Sequence, residues 1–232
     1  MTQHVGIVGC SAEGAALCYR TLCVEGALLM GRHDHPEVSM HTHALAEYMK
    51  CIDRDDWKGV GDLMLSSANK LAAIGADFLI CPDNTIHQAM PYVESQSPLP
   101  WLHIAREVGA EAERRGFARI GLTGTRYLVL SDVYPAGYVR PTDEEREEIN
   151  RIIFDELVNG VFKPEAVGYF QGVIERMKTE EGCDAVALSC TEIPLIINDA
   201  NSPLPTLDST RLLARAALKR ATAHSSSIAR TS

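Results

Sequence analysis

Gly75-Ala76-Asp77-Phe78-Leu79-Ile80-Cys81-Pro82-Asp83-Asn84-Thr85-Ile86 is echoed without a gap by Gly182-Cys183-Asp184-Ala185-Val186-Ala187-Leu188-Ser189-Cys190-Thr191-Glu192-Ile193. Glycine falls on glycine, aspartate on aspartate, and the apolar runs coincide. The register sets Asp83 against Cys190. Ser97-Pro98-Leu99-Pro100 recurs as Ser202-Pro203-Leu204-Pro205, and Gly6-Ile7-Val8-Gly9 as Gly121-Leu122-Thr123-Gly124. Three paired segments in one order imply two similar halves facing each other. A carboxylate at one strand end and a thiol at the other suggest proton chemistry on two faces of a bound molecule.

Working outward, Val5 to Val8 reads as a buried first strand and Ala12 to Leu29 as a helix. Glu37 to Thr42 is a polar second strand. Asp55 to Ile74 has helical spacing and stops at Gly75, a C-terminal cap. Phe78 to Cys81 and Trp101 to Ile104 are strands. In the second half, Arg119 to Thr123 is a strand and Leu128 to Pro141 is irregular. Thr142 to Glu145 forms a capping box that opens a helix from Asp143 to Val158. Pro164 to Glu181 is a helix, and Ala185 to Leu188 a strand. Thr206 and Leu207 end the last strand, and Asp208 caps a final helix to Ala223. His224 to Ser232 is a frayed serine-rich tail. Strands alternating with helices give an α/β fold with parallel sheets. In such sheets ligands bind beyond the carboxyl ends of the strands, where Asp83 and Cys190 both fall.

The chain has 232 residues, enough for one large or two small domains, and 46% of them are hydrophobic, enough for a real core. A net charge of -9 argues against a nucleic-acid binder. A small anionic substrate remains open, because a site needs only local donors. No run of about 18 apolar residues predicts a membrane span, and Met1 to Val8 does not read as a signal peptide. Seven cysteines, an odd number, suit free thiols in the cytoplasm. Their spacing offers no zinc site, so no metal is expected.

At Asp83-Asn84-Thr85-Ile86-His87, Cys190-Thr191-Glu192-Ile193 and Gly124-Thr125-Arg126-Tyr127 the chain resembles the cofactor-independent aspartate/glutamate racemase superfamily. The likeness runs from Gly6 to the final helix and includes Ile152 to Leu157 ahead of Gly160. It implies two α/β lobes related by a pseudo-twofold axis, residues 1–104 plus 208–232 and residues 105–207, with the active site in the cleft between them. The final helix returns to the first lobe. Many relatives are dimers, so a homodimer is expected. No pyridoxal phosphate is used. A cysteine at each strand end flanks the substrate Cα in the family. Asn84, Thr85, Thr125 and Thr191 are thereby implied carboxylate ligands, with Ser11 from the loop after the first strand. Lys163 falls where some aspartate-acting relatives carry a lysine for the distal carboxylate.

The chain departs from the family pattern at three places. Asp83 stands where the family has its first cysteine, and Cys81, two residues earlier, is not its replacement. Some relatives have threonine there. Leu128 replaces the threonine common in broad-specificity relatives, and Cys10-Ser11-Ala12-Glu13 replaces a glycine-rich loop.

A free thiol titrates near ~8.5 and an aspartic acid near ~3.9, a gap of roughly 6 kcal/mol in proton affinity. An unperturbed Asp83 is therefore a poor base, and burial beside a substrate carboxylate would raise its pKa. Cys190 would be helped toward thiolate at a helix start. The expected catalytic pair is Cys190 and Asp83, with His87 and Glu192 supporting them from behind. Blander roles stand beside these. Asp83 suits an Asx turn, Cys190 a small buried hydrophobe, and Asn84 and Thr85 helix caps. His87 suits a first helical turn, Glu192 a helix dipole, and Lys163 the surface. His41 and His43, on the polar strand, are weaker ligand candidates. The expected activity is racemisation of an amino acid, with an acidic one favoured. An epimerase, isomerase or decarboxylase using Cys190 on one face is the alternative, and a non-catalytic two-lobed binder the third.

Overall fold

The computed structural model describes Thr2 to Ala223; the expected tail from His224 onward lies outside the described residues. The chain divides into two compact units, residues up to Ile104 with those from Thr210, and Ala105–Ser209.

The first unit carries a parallel sheet of β1 (Val5–Gly9), β2 (Val38–Thr42), β3 (Phe78–Ile80) and β4 (Trp101–Leu102) in the order β2-β1-β3-β4. Its helices are α1 (Ala12–Met30), α2 (Leu45–Ile52), α3 (Trp57–Ala73), α4 (Met90–Glu94) and the start of α5 (Ile104–Arg115). The last helix of the chain, α9 (Ser209–Ala223), packs Leu213, Ala217 and Leu218 against Val5, Ile7, Phe78 and Ile80 of this sheet. Helix α2 and helix α5 were not expected. Leu45, Tyr48, Met49 and Ile52 have the i, i+3, i+4, i+7 spacing of a buried stripe, so α2 was readable. The strand expected through Ile104 ends at Leu102, and Ile104 opens α5.

The second unit carries β5 (Ile120–Thr123), β6 (Ala185–Leu188) and β7 (Thr206–Asp208), parallel in that order. Its helices are α5 from Ala105 onward, α6 (Arg126–Val129), α7 (Asp143–Asp155) and α8 (Pro164–Thr179). Thr142 and Glu145 close the expected capping box on α7. Asp208 ends β7, and both it and Ser209 fall in the second unit, where the sequence reading began the return to the first at 208. Among the described residues no helix is long and apolar enough to cross a membrane.

The repeat has physical causes. Gly75 and Gly182 both take positive φ, +92° and +68°, which only glycine adopts cheaply. Two residues later, Asp77 accepts from the His4 N–H at 2.6 Å, while Asp184 accepts from Ala118 and Arg119 at 2.8 and 3.1 Å. Each aspartate thus ties the chain entering the neighbouring strand. Pro100 and Pro205 each offer a carbonyl to the second residue of a strand, Leu79 at 2.9 Å and Val186 at 3.0 Å. Val5 pairs with Phe78 as Ile120 pairs with Ala185. The symmetry stops at the sheet edge. Where the first unit has β2, the second has a single parallel bridge from Gly121 to Val139.

Candidate active site

In the first unit the chain leaves β1 at Gly9 and enters α1 with Ser11 as its N-cap, the hydroxyl accepting from Gly14 N–H at 3.2 Å. The same turn aims two main-chain donors at Asp83. Cys10 N–H donates to its carboxylate at 3.1 Å and Ser11 N–H at 3.2 Å. A helix N-terminus offers unpaired N–H groups and a positive dipole end, so it favours the ionised carboxylate. Asp83 is 9% exposed. To the burial that the sequence reading counted on to raise the Asp83 pKa, the structure adds two buried main-chain donors, which act in the opposite direction.

His87 is 1% exposed. Its Nδ1 lies 2.8 Å from the Asp83 carbonyl and its Nε2 accepts from Ile104 N–H at 3.3 Å. The two bonds select the neutral Nδ1–H tautomer. His87 therefore supports Asp83 through the main chain, between the β3 and β4 ends. Asn84 and Ile86 are buried, and the turn of 3₁₀ helix from Thr85 to Ala89 has no side-chain cap. Cys81 is fully buried, and burial beside the Asp83 charge pushes its thiol well up, so it stays protonated. Tyr48, from the unexpected α2, is fully buried with its hydroxyl near Cys10, Cys81 and Asp83.

His41 and His43 lie on β2 and its exit. His41 bonds Ser67 Oγ at 2.9 Å through Nδ1 and faces Lys70 Nζ at 2.9 Å through Nε2. Burial, then the Lys70 charge, lowers its pKa. Both ring nitrogens already have protein partners.

In the second unit, β6 runs into Ser189 and Cys190. The Cys190 thiol donates to Glu192 Oε2 at 2.9 Å, and the Thr191 hydroxyl donates to the same oxygen at 2.7 Å. All three residues are buried, Glu192 to 3% exposure. The two donors converge on one carboxyl oxygen of Glu192, which fixes the direction of the Cys190 thiol. The helix-start environment expected for Cys190 is absent. The 3₁₀ turn after it spans only Ile193–Leu195, and the thiol's hydrogen-bond acceptor is a carboxyl oxygen; a negative charge there opposes thiolate formation.

Thr125 caps α6, accepting from Leu128 N–H at 3.3 Å. The Gly124 turn presses on the β6 exit, since a Cβ there would meet the Ser189 carbonyl at 3.0 Å. This brings Thr125 beside the Cys190 segment. Lys163 precedes α8 and pairs with Glu156 at 3.3 Å, which Arg151 also holds at 3.0 Å. The structure thus gathers Ser11, Asp83 and His87 in one unit, and Thr125, Cys190, Thr191 and Glu192 in the other. Lys163 is engaged with Glu156. Among the described residues, no group of three or more His, Cys, Asp or Glu is arranged to hold a metal ion.

The sequence model of a family described as Asp/Glu/Hydantoin racemase matches residues 7–217. The broad specificity amino-acid racemase RacX of Bacillus subtilis is 23% identical over 202 residues, covering 83% of this chain and 85% of that protein. The crystal structure of a candidate Asp/Glu racemase from Yersinia pestis superposes with a TM-score of 0.85 at 27% identity, covering 94% of this chain and 99% of that one. An aspartate racemase homologue from Pyrococcus horikoshii superposes with a TM-score of 0.82 at 27% identity, over 96% and 100% of the two chains.

Proposed function

The chain belongs to the Asp/Glu/hydantoin racemase family, and on that premise we propose that it racemises an amino acid, with Cys190 and Asp83 exchanging protons at Cα. The observation that carries this reading is the Cys190–Glu192 hydrogen bond of 2.9 Å. It gives the thiol a fixed direction and a fixed proton. A thiolate formed beside an ionised carboxylate is more basic than a free one, which suits abstraction of a weakly acidic Cα proton. In one direction the Cys190 thiolate takes the Cα proton and Asp83, protonated, returns one on the opposite face. In the other direction the Asp83 carboxylate accepts the proton and the Cys190 thiol donates. The α1 donors to Asp83 make it the weaker base and the readier acid, so the two groups are unequal partners.

The favoured substrates are aspartate and glutamate. Asn84, Thr85, Thr125, Thr191 and the Ser11 loop are assigned to the α-carboxylate and Lys163 to the distal one, which requires Lys163 to exchange Glu156 for substrate. The protein acts as a homodimer, without pyridoxal phosphate, in the cytoplasm. Seven free cysteines support the reducing compartment. A one-sided enzyme using Cys190 alone is favoured by one observation, the engagement of the Asp83 carboxylate by Cys10 and Ser11.

Chiral analysis of L- and D-aspartate and L- and D-glutamate incubated with wild type and Cys190→Ala tests the proposal. Inversion by wild type and none by the variant is expected. Undiminished inversion by a folded Cys190→Ala protein removes the mechanism.

A further inference from the structure

The segment between α6 and α7 looks irregular in sequence, yet one side chain organises it. The Arg140 guanidinium donates to the carbonyls of Val129 at 2.8 Å, Tyr138 at 3.0 Å and Tyr134 at 3.2 Å. Longer contacts reach Ser131 at 3.4 Å, Ala136 at 3.4 Å and Pro135 at 3.5 Å. The neighbouring Val139 is pinned to β5, donating to the Ile120 carbonyl at 2.9 Å and accepting from Leu122 N–H at 2.8 Å. Arg140 is thus the hub of a closed loop whose far end is Tyr134.

Tyr134 is 1% exposed. Its hydroxyl lies beside those of Ser189 and Ser209, which partly offset the upward push of burial on the phenol. Ser209 Oγ donates to the Leu188 carbonyl at 2.9 Å, which leaves its lone pairs to accept from Tyr134. Ser189 Oγ, fully buried, closes no well-aligned hydrogen bond; the phenol is the polar group beside it. The Ser189 main chain is held on its other side by the Thr123 carbonyl at 2.9 Å. Ser189 is the residue before Cys190. Its orientation sets the direction of the Cys190 side chain and so the thiol contact with Glu192.

Resting on the assignment of Cys190 as the acid/base group, we propose that Tyr134 is a positioning residue for Cys190, holding the Leu188–Ser189 exit of β6 through the serine hydroxyls, with Arg140 clamping the loop that presents it. The phenol acts by direction, not by touching substrate. Without its hydroxyl, Ser209 loses a donor and Ser189 the polar group beside it, and the thiol is no longer held on Glu192.

The test pairs Tyr134→Phe, which keeps the ring, with Tyr138→Phe as control. Tyr138 packs on Tyr134 at a ring separation of 5.4 Å and belongs to the same loop. Racemisation kinetics are read together with alkylation of Cys190 and Cys183 by iodoacetamide, followed by peptide mass spectrometry. Cys183 is buried in the same unit at the other end of β6. Tyr134→Phe is expected to lower kcat about tenfold with KM within about twofold, since only the group acting in the transition state is displaced. Its Cys190 should alkylate several-fold faster, because a thiol released from Glu192 ionises more readily, while Cys183 keeps its wild-type rate. Arg140→Lys should act in the same direction and add little on top of Tyr134→Phe, because both work through one loop. Tyr138→Phe should match wild type.

Wild-type kcat and wild-type Cys190 alkylation in Tyr134→Phe overturn the proposal. So does a parallel rise at Cys183, which marks general loosening of the unit. If wild type shows no racemisation but Tyr134→Phe still frees Cys190 selectively, the positioning stands and the functional reading falls. Ser209→Ala reads the same contact from the other side should Tyr134→Phe fail to fold.

Discussion

Replacing Glu192 by glutamine keeps the shape and the acceptor oxygen beside Cys190 but removes the charge. The thiol lies 2.9 Å from Glu192 Oε2. Two unit charges at that distance repel by about 1.4 kcal/mol at the dielectric constant of water and about 5.7 kcal/mol at an effective value near 20. Both residues are buried, Cys190 to 8% exposure and Glu192 to 3%, so the lower figure is a floor. About 1.4 kcal/mol is one pH unit in a titration. Glu192→Gln should therefore move the pH midpoint of Cys190 alkylation down by at least about one unit. The sign follows from the charge: the carboxylate penalises thiolate, and its neutral isostere does not. The assay is the rate of iodoacetamide labelling of the Cys190 peptide across pH in both proteins. The alkaline limb of the racemisation rate should move with it, while the maximal rate falls because the thiolate is a weaker base. A midpoint that stays in place or rises refutes the reading of Glu192 as an ionised partner of the thiol.

Asp83→Ala should strand the buried N–H groups of Cys10 and Ser11, at a cost of about 2 kcal/mol and a fall of about 4–8 °C in Tm; Asp83→Asn, which keeps an acceptor, should lose less. An Asp83→Ala protein as stable as wild type by calorimetry would show that those bonds contribute nothing. Glu145 is more exposed to pH. Burial pushes its carboxyl up, but the Arg176 bonds and the Thr142 N–H outweigh it and hold it below the usual range. A carboxylate depressed in the folded state stabilises above its unfolded pKa and loses that contribution as pH falls through the folded one. Glu145→Gln should thus cost about 1–2 kcal/mol at neutral pH. The gap from wild type in urea titrations should close below about pH 4; a gap independent of pH would remove the ion pair from the account.

The repeated residues were legible because each does a local, repeated job. Gly75 and Gly182 reverse the chain, Asp77 and Asp184 tie neighbouring strands, and the two Pro carbonyls start β3 and β6. The α/β alternation and the capping box at Thr142 rest on the same short-range rules. What sequence spacing could not supply were partners far away in the chain. Asp83 meets Cys10 and Ser11 across more than seventy residues, and that contact brings donors to its carboxylate that no local spacing announces. Tyr134 and Arg140 sit in a stretch without periodicity, and their roles arise only when the loop closes. Glu192 was expected to support Cys190 from behind, with a helix dipole as its blander role. What spacing alone did not supply was the contact itself, the carboxylate turning back to the thiol at 2.9 Å. Helix α2 shows a different kind of miss: its apolar stripe of Leu45, Tyr48, Met49 and Ile52 was present in the sequence, and no element was assigned there.

The most direct measurement is proton NMR in deuterium oxide, following loss of the Cα–H signal from each enantiomer of aspartate and glutamate with wild type and Cys190→Ala. The account predicts exchange from both enantiomers of one acidic amino acid, accompanied by inversion, and none with the variant. No exchange from any of the four by folded wild type, or exchange that persists in Cys190→Ala, contradicts it.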